Sequence, residues 1–191
     1  MADDNSRPAD AHRDRRALRD VIRPGVRVLF VGINPGLRSA AIGHHFAGYS
    51  NRFWKLLYDS RLVSEAIVCT DDGRLPEWGF GITNLIGRPT AGISELKPSE
   101  FPGGRRALLA KIRHFQPEIV ALVGVTLFRS LFPDEKYEGL GSQGARLGSA
   151  KVFVLPNPSG RNANFAYSEM LAAFRALRSS LNVARKKRRE R

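Results

Sequence analysis

Four short apolar runs punctuate the chain, at residues 26–32, 79–85, 118–124 and 151–155. Each is rich in β-branched and aromatic residues and too short for a buried helix, so each reads as a strand. The run at 118–124 is apolar almost throughout, as a strand covered on both faces must be. Between the runs the spacing becomes helical. Residues 51–60 carry Phe53, Trp54, Leu56, Leu57 and Tyr58, and residues 168–181 set Met170, Leu171, Phe174, Leu177 and Leu181 on one face. Residues 104–115 and 126–131 read as two further helices. Residues 66–78 look irregular, and residues 88–102, with three prolines, predict a long surface loop of the kind that carries function. Strand alternating with helix predicts an α/β protein: a single three-layer α/β/α domain around a mostly parallel, four-stranded central sheet. The domain is expected to span 21–182. Ahead of it lies a polar arm, 1–20, with alternating charge and no apolar period; behind it lies a basic tail, 183–191, expected to lack structure by itself.

Composition narrows the class. With 191 residues and 42% hydrophobic content the chain can bury one full core. No stretch approaches the roughly 20 apolar residues that cross a bilayer, and the first residues lack the basic-then-apolar order of a secretory signal. The expected location is therefore intracellular, in cytoplasm or nucleoid if bacterial, with no membrane partner. Cys69 is the only cysteine, which excludes an intrachain disulfide and a cysteine-built metal or iron–sulfur site; no metal or other cofactor is expected. The formal charge of +13 points to a polyanionic partner. Residues 185–191 hold six basic side chains and one glutamate, and residues 1–23 hold six arginines against five aspartates, so a net +7 remains on the body of the chain.

Two loops carry the candidate chemistry. Gly32-Ile33-Asn34-Pro35-Gly36 follows the first strand, and Asn157-Pro158-Ser159-Gly160-Arg161-Asn162-Ala163-Asn164-Phe165 follows the fourth. Proline removes a donor and fixes φ, glycine permits close approach, and asparagine supplies a neutral amide, so both strand ends are suited to presenting polar groups. The carboxyl edge of an open α/β sheet is where such proteins bind ligands. The first loop lacks Gly-x-Gly-x-x-Gly and the Lys-Ser/Thr ending of a P-loop, which leaves nucleotide binding or hydrolysis as a weak alternative.

These loops resemble the two signature loops of the mismatch-specific uracil and thymine DNA glycosylase family, a branch of the uracil-DNA glycosylase superfamily. The resemblance continues through Ser39-Ala40-Ala41-Ile42-Gly43-His44-His45-Phe46, Asn51-Arg52-Phe53-Trp54-Lys55, Gly81-Ile82-Thr83-Asn84-Leu85, Arg88-Pro89-Thr90 and Gly103-Gly104-Arg105, covering roughly residues 22–180. It implies a monofunctional DNA glycosylase that flips out and hydrolytically excises uracil opposite guanine, with ethenocytosine as a further substrate and thymine a poor one. The product would be an abasic site for base-excision repair. The implied partner is double-stranded DNA with a G:U or related mismatch, and the implied state is a monomer. A reader of mismatched DNA that turns over slowly or not at all is the other reading compatible with the loops.

By the same resemblance, Asn34 would orient the attacking water and Asn157 would stand where a related branch places histidine against the base carbonyl. An amide is no strong general base, so more of the catalysis would fall on binding and leaving-group stabilisation. Phe46 would stack on the extruded base, with Ile33, Ser39 and His45 completing the base-binding set. A hydroxyl at Ser39 would disfavour the thymine methyl. Gly160, Arg161 and Asn162 would fill the gap in the duplex and meet the opposite guanine. Arg52, Lys55, Arg88 and Arg105, with Arg106, are the phosphate candidates. Trp54 and Trp78 read as core residues. No lysine in the signature loops is placed for Schiff-base attack.

Overall fold

The computed structural model describes residues 17–189, with side chains described as far as 182. Residues 1–16 of the expected arm and 190–191 of the expected tail lie outside the described residues. The elements run β1 (Val28–Gly32), α1 (Leu37–Ile42), α2 (Phe53–Asp59), β2 (Phe80–Asn84), α3 (Glu100–Phe115), β3 (Ile119–Val123), α4 (Val125–Leu131), β4 (Gly141–Leu147), β5 (Ala150–Leu155) and α5 (Tyr167–Arg189). A ten-residue 3-10 stretch, Cys69–Trp78, occupies the segment expected to be irregular.

The sheet order is β2-β1-β3-β5-β4, with every pair parallel except β4 against β5. It therefore has five strands where the apolar pattern predicts four. The extra strand, β4, contains two glycines and presents Ser142, Gly144 and Arg146 to solvent. It is an edge strand defined by pairing with β5 rather than by its own propensity.

Because side chains alternate across a strand, each buried run divides between two cores. Val28 and Phe30 of β1, Ala121 of β3 and Phe153 of β5 pack with Phe53, Leu57, Phe174 and Leu177 from α2 and α5. Leu29, Val31, Leu122 and Val154 face the other way, against Leu108, Ile112, Leu127 and Phe128 of α3 and α4. Phe30 lies at the centre of the first core, edge-on to Phe53 at 5.3 Å and to Phe80 at 5.7 Å. Burying each such side chain contributes about 1.5–3 kcal/mol, which fixes the three layers.

Both termini of the domain go further than the apolar pattern predicts. Residues 17–20, assigned to the arm, are engaged: Val21 bridges antiparallel to Ile82, and Asp20 accepts from the buried Thr83 hydroxyl and pairs with Lys111 at 2.6 Å. At the other end α5 is helical through Arg189, into the stretch expected to lack structure. Lysine and arginine are good helix formers, and cations are favourable at a helix C-terminus, so a helix anchored by Met170–Leu181 propagates into them.

Strand order reverses between β1 and β3, the switch point where open α/β sheets form a crevice at their carboxyl edge. β1 and β5 flank β3, so their carboxyl ends lie two strand spacings apart, about 10 Å. Both signature loops leave from there.

Candidate active site

The first loop is tied down along its length by the segment that follows β2. The carbonyls of Gly32, Ile33 and Pro35 accept the N–H groups of Leu85, Ile86 and Thr90. The Asn34 side chain is held by the same segment. Its Nδ2 donates to Thr90 Oγ1 at 2.7 Å, to Arg88 O at 3.1 Å and to Pro35 O at 3.1 Å. Thr90 in turn donates its hydroxyl proton to Gly92 O, which leaves its oxygen free to accept. The orientation of the amide is thus fixed, and Asn34 Oδ1 has no partner among the described residues.

The second loop has the opposite polarity. Asn157 Oδ1 accepts the Ser159 N–H at 3.0 Å, the Asn157 carbonyl accepts from Asn162 Nδ2, and Asn162 Oδ1 accepts the Asn164 N–H. The exposed Asn157 Nδ2 has no partner among the described residues. Between the loops, β3 is followed by Gly124 with φ +121°, and a Cβ there would lie 3.7 Å from that of Asn157. The site therefore offers a fixed acceptor on one side of β3 and a free donor on the other.

Phe46 lies beside the start of the first loop. Its ring stacks on Phe53, centroids 4.2 Å apart, and its tip is 3.6 Å from where a Gly32 Cβ would stand. The residue has φ +49°, a strained setting for a bulky side chain. α1 maintains it: Ser39 Oγ accepts the Ala47 N–H at 3.0 Å, and Arg38 Nε donates to Ala47 O at 2.8 Å. Both backbone polar groups of the following residue are thereby pinned. The Arg38 guanidinium also lies 3.6 Å from the centre of the Tyr49 ring, which is 89% exposed.

The segment after Phe46 joins the loops. Arg52 N–H donates to Pro158 O at 2.9 Å, and Gly160 packs so closely on Ser50 that an added Cβ would lie 2.3 Å from its Cβ. Arg161 is exposed, with no side-chain partner among the described residues.

Several predicted positions take other places. His45 is 2% exposed, and its ring is spent on neighbours: Nε2 meets Arg19 O at 3.1 Å and Nδ1 meets Asn84 Nδ2 at 3.4 Å. Burial lowers its pKa below the ordinary 6.5, against the opposing pull of the Arg19 carbonyl, Asp72 and Asp20. Ser39 is buried, with its hydroxyl under the Ala47 N–H. Three phosphate candidates have partners within the protein. Arg52 is half-buried and turned toward Met170 Sδ, Lys55 pairs with Asp59 at 2.6 Å, and Arg88 forks onto Glu100 at 2.9 and 2.7 Å. That fork pulls the Glu100 carboxyl down to about 2. Arg105 and Arg106 remain exposed on α3 without an ion pair among the described residues.

Asn84 is the neighbour that motif reading passes over. It ends β2 opposite Gly32, and its Oδ1 lies 2.6 Å from the position of a Gly32 Cβ. Only the strand register reveals this. Gly32 is glycine here for want of space: any side chain would strike Asn84 and crowd Phe46.

A cavity of about 800 Å³ lies at the other end of the sheet, lined by Arg27, Phe115, Gln116, Lys151, Phe153 and Ser180. There the strands begin, and Arg27 is occupied by Glu118 and the Leu181 carbonyl. The cavity lies away from the carboxyl edge, from which both candidate loops leave. Among the described residues no helix is long and apolar enough to cross a membrane, and no group of three His, Cys, Asp or Glu side chains is placed to hold a metal ion.

Comparison with known proteins bears on the fold and the family. The solution NMR structure of a Methanosarcina acetivorans protein, provisionally named a uracil DNA glycosylase, superposes with a TM-score of 0.54. It shares 17% identity, covering 85% of this chain and 98% of the other, and at that identity it establishes the fold alone. The profile of the Uracil DNA glycosylase superfamily matches residues 19–178, a span holding both signature loops, β1 to β5 and the Arg19 contact to His45. The chain belongs to the uracil DNA glycosylase superfamily.

Proposed function

We propose that this protein is a monofunctional DNA glycosylase that removes uracil from mismatches with guanine by water attack at the sugar. The supporting observation is the Asn34 carboxamide, whose N–H₂ is tied to Thr90 and Arg88 while its oxygen stays free. Cleavage of an N-glycosidic bond builds positive charge on the sugar and negative charge on the departing base. In this reading Asn34 Oδ1 holds a water by one of its hydrogens and aims its lone pair at C1′. Asn157 Nδ2, the unpartnered donor across β3, meets a carbonyl of the base as it leaves. The fixed acceptor needs no reorganisation at the moment of reaction, which is where preorganised polar groups act most strongly.

The extruded pyrimidine stacks on the outer face of Phe46, whose inner face rests on Phe53. Asn84 and the Ile33 backbone read its edge. Gly160 lets the second loop close on Ser50, and Arg161 and Asn162 fill the vacated space beside the orphan guanine. Arg105, Arg106, Arg38 and Tyr49 supply the outer DNA-facing surface, while Arg52, Lys55 and Arg88 serve internal structure. Ser39, buried under the Ala47 N–H next to Phe46, favours uracil and ethenocytosine over thymine. The partner is duplex DNA, bound by a monomer.

Single-turnover incubation with duplexes carrying uracil, ethenocytosine or thymine opposite guanine tests the proposal. Alkali-labile abasic sites should form fastest from the first two, with no borohydride-trapped adduct. Tight binding without cleavage would replace the enzyme with a mismatch reader, and a trapped adduct would replace water with a lysine.

A further inference from the structure

We infer that His45, through its neutral Nε2–H form, is a positioning residue that sets which face of the Asn84 amide the pyrimidine meets, and that the backbone at Arg19 holds it in that form. The inference rests on the proposed glycosylase reading for its substrate, but its physical core does not.

Every polar group of His45 has a partner. Its N–H donates to Asp72 Oδ2, its carbonyl accepts from Trp54 Nε1, Nε2 faces Arg19 O and Nδ1 faces Asn84 Nδ2. A carbonyl oxygen can only accept, so Nε2 must carry a proton. In the neutral ring Nδ1 is then a lone pair, and only the N–H₂ end of Asn84 can approach it. The amide is set: nitrogen toward His45, oxygen toward Gly32 and the ring of Phe46.

This orientation has a consequence for recognition. An Asn84 that presents its oxygen together with its second N–H complements N3–H and O4 of uracil. A second proton on His45 would put an N–H donor against the Asn84 N–H₂. The amide would then turn over and present a donor to N3 and its oxygen to the 4-position, which suits the bare N3 and the amino group of cytosine and opposes the N3–H and O4 of uracil.

The charged groups around the ring are Asp72 from the 3-10 stretch, Asp20 from the segment before β1, and the neighbouring His44, which itself lies on Asp72 at 3.0 Å. The two aspartates favour a proton and burial opposes it, with burial the larger influence. Residues 19–21 do more than cover an edge. They supply the carbonyl that selects the tautomer, held in place by the Val21–Ile82 bridge and by Asp20 against Thr83 and Lys111.

Long-range ¹⁵N–¹H spectra of the histidine rings in the full chain test the lock without any substrate. At pH 7.5 His45 should be the neutral Nε2–H tautomer, with protonation only below pH 6.5. An Nδ1–H tautomer or a cation at pH 7.5 would overturn the inference. Single-turnover excision of uracil and of cytosine opposite guanine supplies the functional readout. His45→Leu should lower the uracil-to-cytosine ratio by about tenfold, the scale of one misplaced hydrogen bond. His45→Gln, whose amide can donate to Arg19 O and accept from Asn84, should restore most of it. The wild type should also lose uracil excision as pH falls below 6.5, and His45→Gln should not. An unchanged ratio in a folded His45→Leu, or the same acid loss in His45→Gln, would refute the role. Should the wild type leave uracil untouched at every pH, the glycosylase proposal fails and the spectra alone decide the lock.

Discussion

The two signature loops leave neighbouring strand ends, yet they are built in opposite ways. The first is tied to the body of the protein by three backbone hydrogen bonds from residues 85–90 and by the grip of Thr90 and Arg88 on Asn34. The second is braced mostly by itself, through the turns of Asn157 and Asn162, with Arg52 and Ser50 as its fixed points on the domain. The difference matches their proposed tasks. A group that aims water must be in place before substrate arrives, whereas a group that follows a leaving base and a wedge that enters DNA gain from a loop that closes on binding.

Substitutions can break this contrast. Asn34→Ala should cost the most, about a hundredfold in single-turnover excision with duplex affinity little changed, since it removes the preset acceptor that aims the water. Thr90→Val keeps the shape but removes the 2.7 Å anchor of the amide, and excision should fall roughly tenfold, with Thr90→Ser restoring it. Asn157→Ala should cost about fivefold, and Asn157→Asp more, because a carboxylate opposes a departing anion. Gly160→Ala forces the second loop off Ser50, and duplex affinity should weaken about threefold in an equilibrium titration while the melting temperature barely moves. Ser39→Ala should change least. It should shift the thymine-to-uracil excision ratio upward by roughly twofold, and it should slow both reactions by releasing the Ala47 N–H.

Much of this architecture was legible in the sequence because the core strands are dense in apolar side chains. Val28, Leu29, Phe30 and Val31 are all fully buried, and so are Val120 and Leu122. The loops were legible because the segments around Asn-Pro-Gly and Asn-Pro-Ser-Gly, from Ser39–Phe46 to Gly103–Arg105, resemble the family in order and spacing; the tripeptide alone reads as an ordinary turn. What escaped was set by pairing. β4 has little propensity of its own, and α1 is a six-residue turn closed by Gly43 at φ +80°. Asn84 enters the site through its register with Gly32, and Thr90 through a bond to a side chain 56 residues away. His45 shows how proximity in sequence misleads: it neighbours Phe46 yet points inward, because Asp72, Trp54 and Arg19 claim its polar groups. Likewise the carboxylate partner of Arg88, Glu100, twelve residues away, is seen only in the fold.

The most direct test is a crystal structure of the protein on a duplex holding a non-cleavable 2′-fluoro deoxyuridine opposite guanine. The account predicts an extruded uracil on Phe46, Asn34 Nδ2 still on Thr90, and a water bridging Asn34 Oδ1 to C1′. An extruded base with the Asn34 amide reversed, or with no water between it and the sugar, would contradict it.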